Sequence, residues 1–396
     1  MEQRLAAAQA VPGERAWNPR AALALLMGYF VLFGITVGGQ GVLWADIKAA
    51  LALGDGVFGT SQLVSPVLGV TTLLFGAPVV ALLGKKRFAL VGLAVLGLSS
   101  LAIAAAGGLW ALVGALVLAG LGFGAVELAM NSATLDWEQA TRRDVMNVMH
   151  AGFSGGAVVG ALAAGALLQW GWLYQGVLAL IAACCGLAFA ATLPVRYPPA
   201  DPTPAAGSSP TAALRLLLGN GALLLLAVLS LLGVVGESVA NTWSVIYLRT
   251  LGAEAFVGGA AYALFNGTMF AGRLINQPLV ARLGARASLL ISGALLVASG
   301  ALLLLPGQLW LAVAAFALAG LGVAGVVPTA LSAASRLAPG SSGAVTGAIM
   351  AVTYSGFVVC APLIGWLAEL FTLQIALVSV GISGALILLL GRGVAR

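Results

Sequence analysis

The stretch from Leu118 to Gly165, LAGLGFGAVELAMNSATLDWEQATRRDVMNVMHAGFSGGAVVGALAAG, holds two apolar runs joined by a short charged turn. Each run can be part of a helix that crosses a bilayer, for which about 20 residues suffice. The first carries a carboxylate, Glu127, and the second carries His150, the only histidine in the chain. Ionisable groups are costly in lipid, so both positions are candidate functional sites.

The same pattern extends outward in both directions. The chain is 61% hydrophobic and 8% charged, with a mean hydropathy of +1.08, where a soluble domain carries about 25% charged residues. One aqueous core does not hide that much apolar surface, so lipid is the expected solvent. Apolar runs at 21–44, 57–83, 88–106, 109–135, 143–169, 171–193, 217–248, 255–282, 287–305, 309–335, 342–370 and 372–391 predict twelve spans. With both termini cytoplasmic, every Lys and Arg falls on the inner side except Lys48 and Arg249 outside and Arg273 within a helix. That asymmetry supports an even number of spans. The formal net charge of +6 therefore reads as topology. The basic residues sit in short turns between apolar runs without an aromatic–basic module, and no nucleic-acid partner is expected.

Residues 1–20 read as a cytoplasmic tail, and the first span is too long for a signal-peptide core, so it is expected to be retained. Short loops point to a bacterial inner (plasma) membrane, crossed many times. The Pro/Ser/Gly-rich segment 194–216 reads as a cytoplasmic linker between bundles at 21–193 and 217–396. These bundles repeat. LAGLG recurs at 118–122 and 318–322, and at the same spacing Pro78, Val80 and Gly84 match Pro278, Val280 and Gly284, while Gly156, Val158 and Gly165 match Gly356, Val358 and Gly365. The expected fold is an all-α membrane protein with twelve transmembrane helices in two pseudo-symmetric six-helix bundles. Small-xxx-small pairs such as Gly156–Gly160 read either as surfaces on which bundles slide or as ordinary tight membrane packing. Cys184, Cys185 and Cys360 have no ligand spacing and read as small core residues, with neither metal nor disulfide.

Glu127 and Asn131 share a helix face. At 1.5 Å per residue Glu127 lies roughly 12 Å and His150 roughly 10 Å from the inner surface, which allows an acid–imidazole pair. Glu127 reads as a proton carrier, because protonation removes the charge that lipid penalises, or as a hydrogen-bonded structural carboxyl. His150 reads as a packed structural residue or as a relay. Glu237 and Asn241 repeat the spacing in the seventh span, and with Trp243 and Tyr247 would suit a polyhydroxylated solute. The two aromatics lie to one side of the Glu237–Asn241 face, so an interfacial aromatic belt is the alternative for them. Arg273 pairs with Glu237, binds an anionic solute, or anchors the inner turn beside Arg282. Gln40, Asn266 and Tyr354 are lesser substrate-binding candidates, and Asp46 is expected on the outer rim with Lys48.

These residues resemble the major facilitator superfamily over essentially the whole chain. The turns LLGKKR (82–87) and ARLGAR (281–286) are similar to its signature turn and its repeat, although Ala81 and Ala281 stand where the signature has an acidic residue. ELAMN (127–131) and VVGESVANTWSVIYL (234–248) resemble helices four and seven of the fucose–proton symporter branch, and HAGFSGG (150–156) resembles its bacterial relatives. The resemblance implies a secondary transporter with a proton-coupling glutamate at Glu127.

No GxxxxGK[ST] loop, Ser/His/Asp set or metal-ligand set is present in the sequence, so no enzyme, cofactor or direct use of ATP is expected. The leading expectation is a monomeric, proton-coupled symporter of a sugar or similar small polar solute, working by alternating access. The alternatives are a proton antiporter exporting amphipathic compounds or organic anions, and a receptor or assembly factor that moves nothing.

Overall fold

The computed structural model describes residues 17–198, 215, 217–305, 307–337 and 342–394. Most of the expected tail and linker lies outside these residues. In the first half, α1 (Pro19–Ala50) is followed by a crossing in three pieces, α2 (Asp55–Gln62), α3 (Val64–Phe75) and α4 (Ala77–Leu83). Then come α5 (Lys85–Ala104), α6 (Leu109–Thr141), α7 (Met146–Gln169) and α8 (Tyr174–Thr192). The second half comprises α9 (Gly221–Thr250), α10 (Ala255–Leu304), α11 (Leu309–Ala324), α12 (Val326–Leu337), α13 (Ser342–Leu370), α14 (Leu373–Leu377) and α15 (Ser379–Leu390).

Helix α10 contains the eighth and ninth expected crossings. Its backbone breaks at Gly284, with φ 85° and ψ 166°. The Ser288 hydroxyl donates to the Asn276 side chain twelve residues earlier, a reach that a straight helix of about 18 Å would forbid. Gly84, 200 residues earlier, makes the matching break between α4 and α5 with φ 79° and ψ 149°. A side chain is strained in this region of φ, and glycine is not. The internal repeat is thus a repeat of backbone geometry. Helix starts agree: Asn18 caps α1 by accepting from the Arg20 and Ala21 amides at 3.0 and 3.2 Å, and Asn220 caps α9 in the same way.

Two faces result. The basic face carries Lys85, Lys86, Arg87, Arg142 and Arg143 together with the Gly84 and Gly284 turns. The sparse face carries the turns at 51–54, 170–173 and 251–254, with Lys48 and Arg249. The halves meet chiefly toward the sparse face, where α13 packs on α2 and α10 packs on α7. Glycines set these approaches. A Cβ on Gly259 would lie 2.6 Å from the Ala161 carbonyl oxygen, and one on Gly59 would lie 2.5 Å from that of Ala361. Five polar contacts bridge the halves there among the described residues: Arg249 to Asp46 at 3.3 Å, Gln169 Nε2 to Glu254 at 3.0 Å, the Phe256 amide to Gln169 Oε1 at 3.4 Å, the Gly56 amide to Glu369 at 3.2 Å, and Trp366 Nε1 to Thr60 Oγ1 at 3.0 Å. On the basic face Lys85 pairs with Asp136, Lys86 donates to the Leu193 carbonyl, and Trp137 donates to that of Pro19, all within the first half.

Candidate functional site

A cavity of about 320 Å³ lies between the halves. Helix α1 supplies Phe33, Gln40 and Trp44, α2 supplies Gln62, and α6 supplies Phe123 and Glu127. From the second half come Asn241 on α9, Tyr262 on α10, and Tyr354 and Phe357 on α13. Aromatic rings make much of the wall, and Phe33 meets Phe123 edge-on with centroids 5.1 Å apart.

Glu127 is half-buried, and its carboxylate has neither hydrogen bond nor ion pair among the described residues. It is the sole ionisable carboxyl in the described lining, which contains no Lys, Arg or His. Asn131, one turn on, donates to the Glu127 carbonyl oxygen at 2.9 Å, so its amide is engaged by its own helix. Tyr354 lies within electrostatic reach of Glu127 in one half and Glu237 in the other.

The expected equal depth of Glu127 and His150 does not hold. Helix α6 runs on to Thr141 through the polar DWEQAT segment, where Glu138 accepts from the Val145 and Met146 amides and fixes the turn. Glu127 therefore lies about 21 Å from the basic end of α6, and His150 about 6 Å from that of α7. His150 is exposed and packs edge-on against Phe30 at 5.2 Å. The charge within its reach is Arg273.

Arg273, Glu237 and His150 lie outside the cavity lining, and the expected Arg273–Glu237 ion pair does not form among the described residues. Arg273 is exposed, contacts Met269 Sδ at 3.6 Å, and reaches both Glu237 and His150 electrostatically. Asn266 is buried and donates to the Tyr262 carbonyl oxygen at 3.0 Å. Trp243 is 0% exposed, a position an aromatic belt facing lipid does not occupy. It packs edge-on against Phe58 at 5.6 Å, and Phe58 packs on Trp44 at 6.1 Å. Tyr247 is buried beyond it. Asp46 pairs with Arg249, and Lys48 pairs with Asp55 at 2.9 Å.

Sequence reasoning missed Gln62, Tyr262 and the phenylalanines of the wall. Gln62 had a signal, an amide inside an apolar run. The phenylalanines had none, because apolar rings in apolar helices carry no sign of the direction in which they point. Polar atoms left without partners in a buried place cost about 1–3 kcal/mol each. Gln40 Nε2, Gln62 Nε2, Asn241 Oδ1 and Trp243 Nε1 are in that condition, as are Trp17 Nε1, Gln175 Oε1 and Ser379 Oγ elsewhere among the described residues, and the first three belong to cavity-lining side chains.

The Major Facilitator Superfamily model matches residues 25–356, and matches 258–394 as well. The chain belongs to the Major Facilitator Superfamily. It is a multi-pass membrane transporter of that superfamily, and relatives agree. Transporter y4wD of Sinorhizobium fredii is 31% identical over 280 residues, covering 70% of this chain and 72% of that one. A Major Facilitator-type transporter of Yersinia pestis is 27% identical over 359 residues, 88% and 89% of the two chains. Among solved structures, a mutant of the nucleoside transporter NupG superposes with a TM-score of 0.83 at 14% identity, covering 95% of this chain and all of NupG. A bacterial homologue of the human lysosomal transporter Spinster gives 0.73 at 15% identity, with 95% and 97% covered. At these identities the structures share the major facilitator fold.

Proposed function

We propose that this transporter moves a small, neutral, polar, sugar-like solute together with a proton. The observation that carries the reading is Glu127, a half-buried carboxyl that faces the central cavity with no compensating charge. Protonation neutralises it and lets the loaded cavity reorient, whereas a bare carboxylate is costly to enclose. The resemblance of 127–131 and 234–248 to the fucose–proton symporters supports the same assignment. The cavity volume sits at the small end of the roughly 300–1,000 Å³ typical of ligand sites, which favours a small solute. The lining lacks a cation, which disfavours an organic anion. By the positive-inside rule the basic face is cytoplasmic, so the contacts on the sparse face close the outside and this is the inward-facing state.

The test is solute-induced proton movement in proteoliposomes with pooled monosaccharides. External alkalinisation is expected with the native chain and is expected to vanish in Glu127→Gln while solute binding survives. Solute entry without proton movement in either protein overturns proton coupling at Glu127. The aromatic wall also favours a second reading, antiport of an amphipathic compound. Under that reading an imposed inward proton gradient drives such a probe out of vesicles.

A further inference from the structure

The sparse-face end of the cavity gathers three side-chain amides from three helices and both halves: Gln40, Gln62 and Asn241. Gln40 and Gln62 are 5% and 9% exposed. The Nε2 of each, and the Oδ1 of Asn241, are buried without a hydrogen-bond partner among the described residues. Folding does not gather two unmet donors and one unmet acceptor in one wall for stability's sake, because each is worse than an apolar side chain of the same shape. Trp44 and Tyr262 line the same cavity and offer ring faces. No charged side chain from the described lining joins the amides, because Glu127 lies farther down the cavity. Counted along their helices from the sparse-face ends, the amides lie about 10–15 Å in and Glu127 about 27 Å in.

We infer that Gln40, Gln62 and Asn241 form the solute-recognition subsite, selective for a neutral solute with adjacent hydroxyl groups. Each hydroxyl donates and accepts, so a pair of them can satisfy these amides whether an N–H or a carbonyl of each is turned toward the cavity. The apolar face of a sugar or cyclitol ring lies against the aromatic wall. Solute and proton then occupy opposite ends of one cavity and are read by different residues. This inference rests on the reading of the cavity as the transport site and deepens it. It does not require that Glu127 carry the proton.

The test measures thermal unfolding of the purified full chain in detergent, with and without millimolar D-glucose, L-fucose or myo-inositol. Tetraphenylphosphonium serves as the apolar control. At least one polyol is expected to raise Tm, and Gln62→Leu is expected to abolish that rise while lifting the Tm of the solute-free protein by about 2–4 °C. A residue kept for structure would behave oppositely, with leucine lowering the solute-free Tm. Gln40→Leu repeats the test on another helix in case Gln62→Leu fails to fold. A polyol-induced rise retained in both leucine variants overturns the subsite, as does a rise with tetraphenylphosphonium and none with any polyol. A rise in the native chain that both leucine variants lose, in a protein that moves no protons, upholds the subsite and removes only the coupling role of Glu127.

Discussion

At the scale of single residues, Tyr354 is the group that faces both halves. Its phenol lies within electrostatic reach of Glu127 and of Glu237, and it lines the cavity beside Phe357, with ring centroids 6.2 Å apart. Its hydroxyl bonds to neither carboxyl in this state among the described residues, so donation to the charged one belongs to another step of the cycle, where hydrogen bonds to charged groups contribute about 1.5–3 kcal/mol. Tyr354→Phe keeps the ring and removes that donor. The expected outcome is a fall of roughly 10-fold or more in proton-coupled flux in proteoliposomes with little change in Tm, and unchanged flux would remove Tyr354 from the coupling path. Reading the sequence found Glu127, Gln40, Asn241 and Tyr354, because a polar group in a membrane span is conspicuous. The same reading set Glu237 above Gln40 and Tyr354 and also offered Arg273 and Asn131, although these three lie outside the described cavity lining. Chemical type identifies residues that are costly to bury, and only the packed structure separates those facing the cavity from those turned away from it.

At the scale of elements, most spans were legible to within a few residues, since lipid imposes a length on any helix that crosses it, but α1 and α6 each run six residues past the expected end. Helix rotation was not legible. A helix that is apolar on every side carries no stripe to orient it, so α9 turns Ser238, Asn241 and Thr242 toward the cavity and leaves Glu237 aside. The paired glycines were legible as spacing but not as contacts. The important ones join α7 to α10 and α2 to α13 across the two halves. Gly259→Val would put a side chain where the Ala161 carbonyl and Gly165 Cα now lie, at 2.6 and 3.1 Å from its Cβ. The sparse face then cannot close as it does here. A thiol probe applied from that side, with Ser65→Cys as the reporter in a background lacking the native cysteines, is expected to label several-fold faster in the Gly259→Val variant than in its glycine parent. Equal rates would show that these glycines only pack.

At the scale of the whole molecule, two similar bundles meet through close backbone contact and a few partly exposed polar pairs. In lipid such association depends on packing and hydrogen bonds rather than on expelling water, and exposed pairs such as Arg249–Asp46 contribute about 0–1 kcal/mol. Those polar pairs therefore add little to the closed face, which rests mainly on packing. Glu127 has a consequence on this scale. If it carries the proton, the loaded transporter reorients as a neutral body, whereas the empty one returns bearing a negative charge. Membrane voltage then acts on the return half of the cycle alone, by up to about 2.3 kcal/mol per 100 mV for a charge crossing the full field. Net uptake by the vesicles should quicken as their interior is made negative with a potassium diffusion potential. Exchange of labelled for unlabelled solute, which needs no empty return, should be insensitive to the same potential.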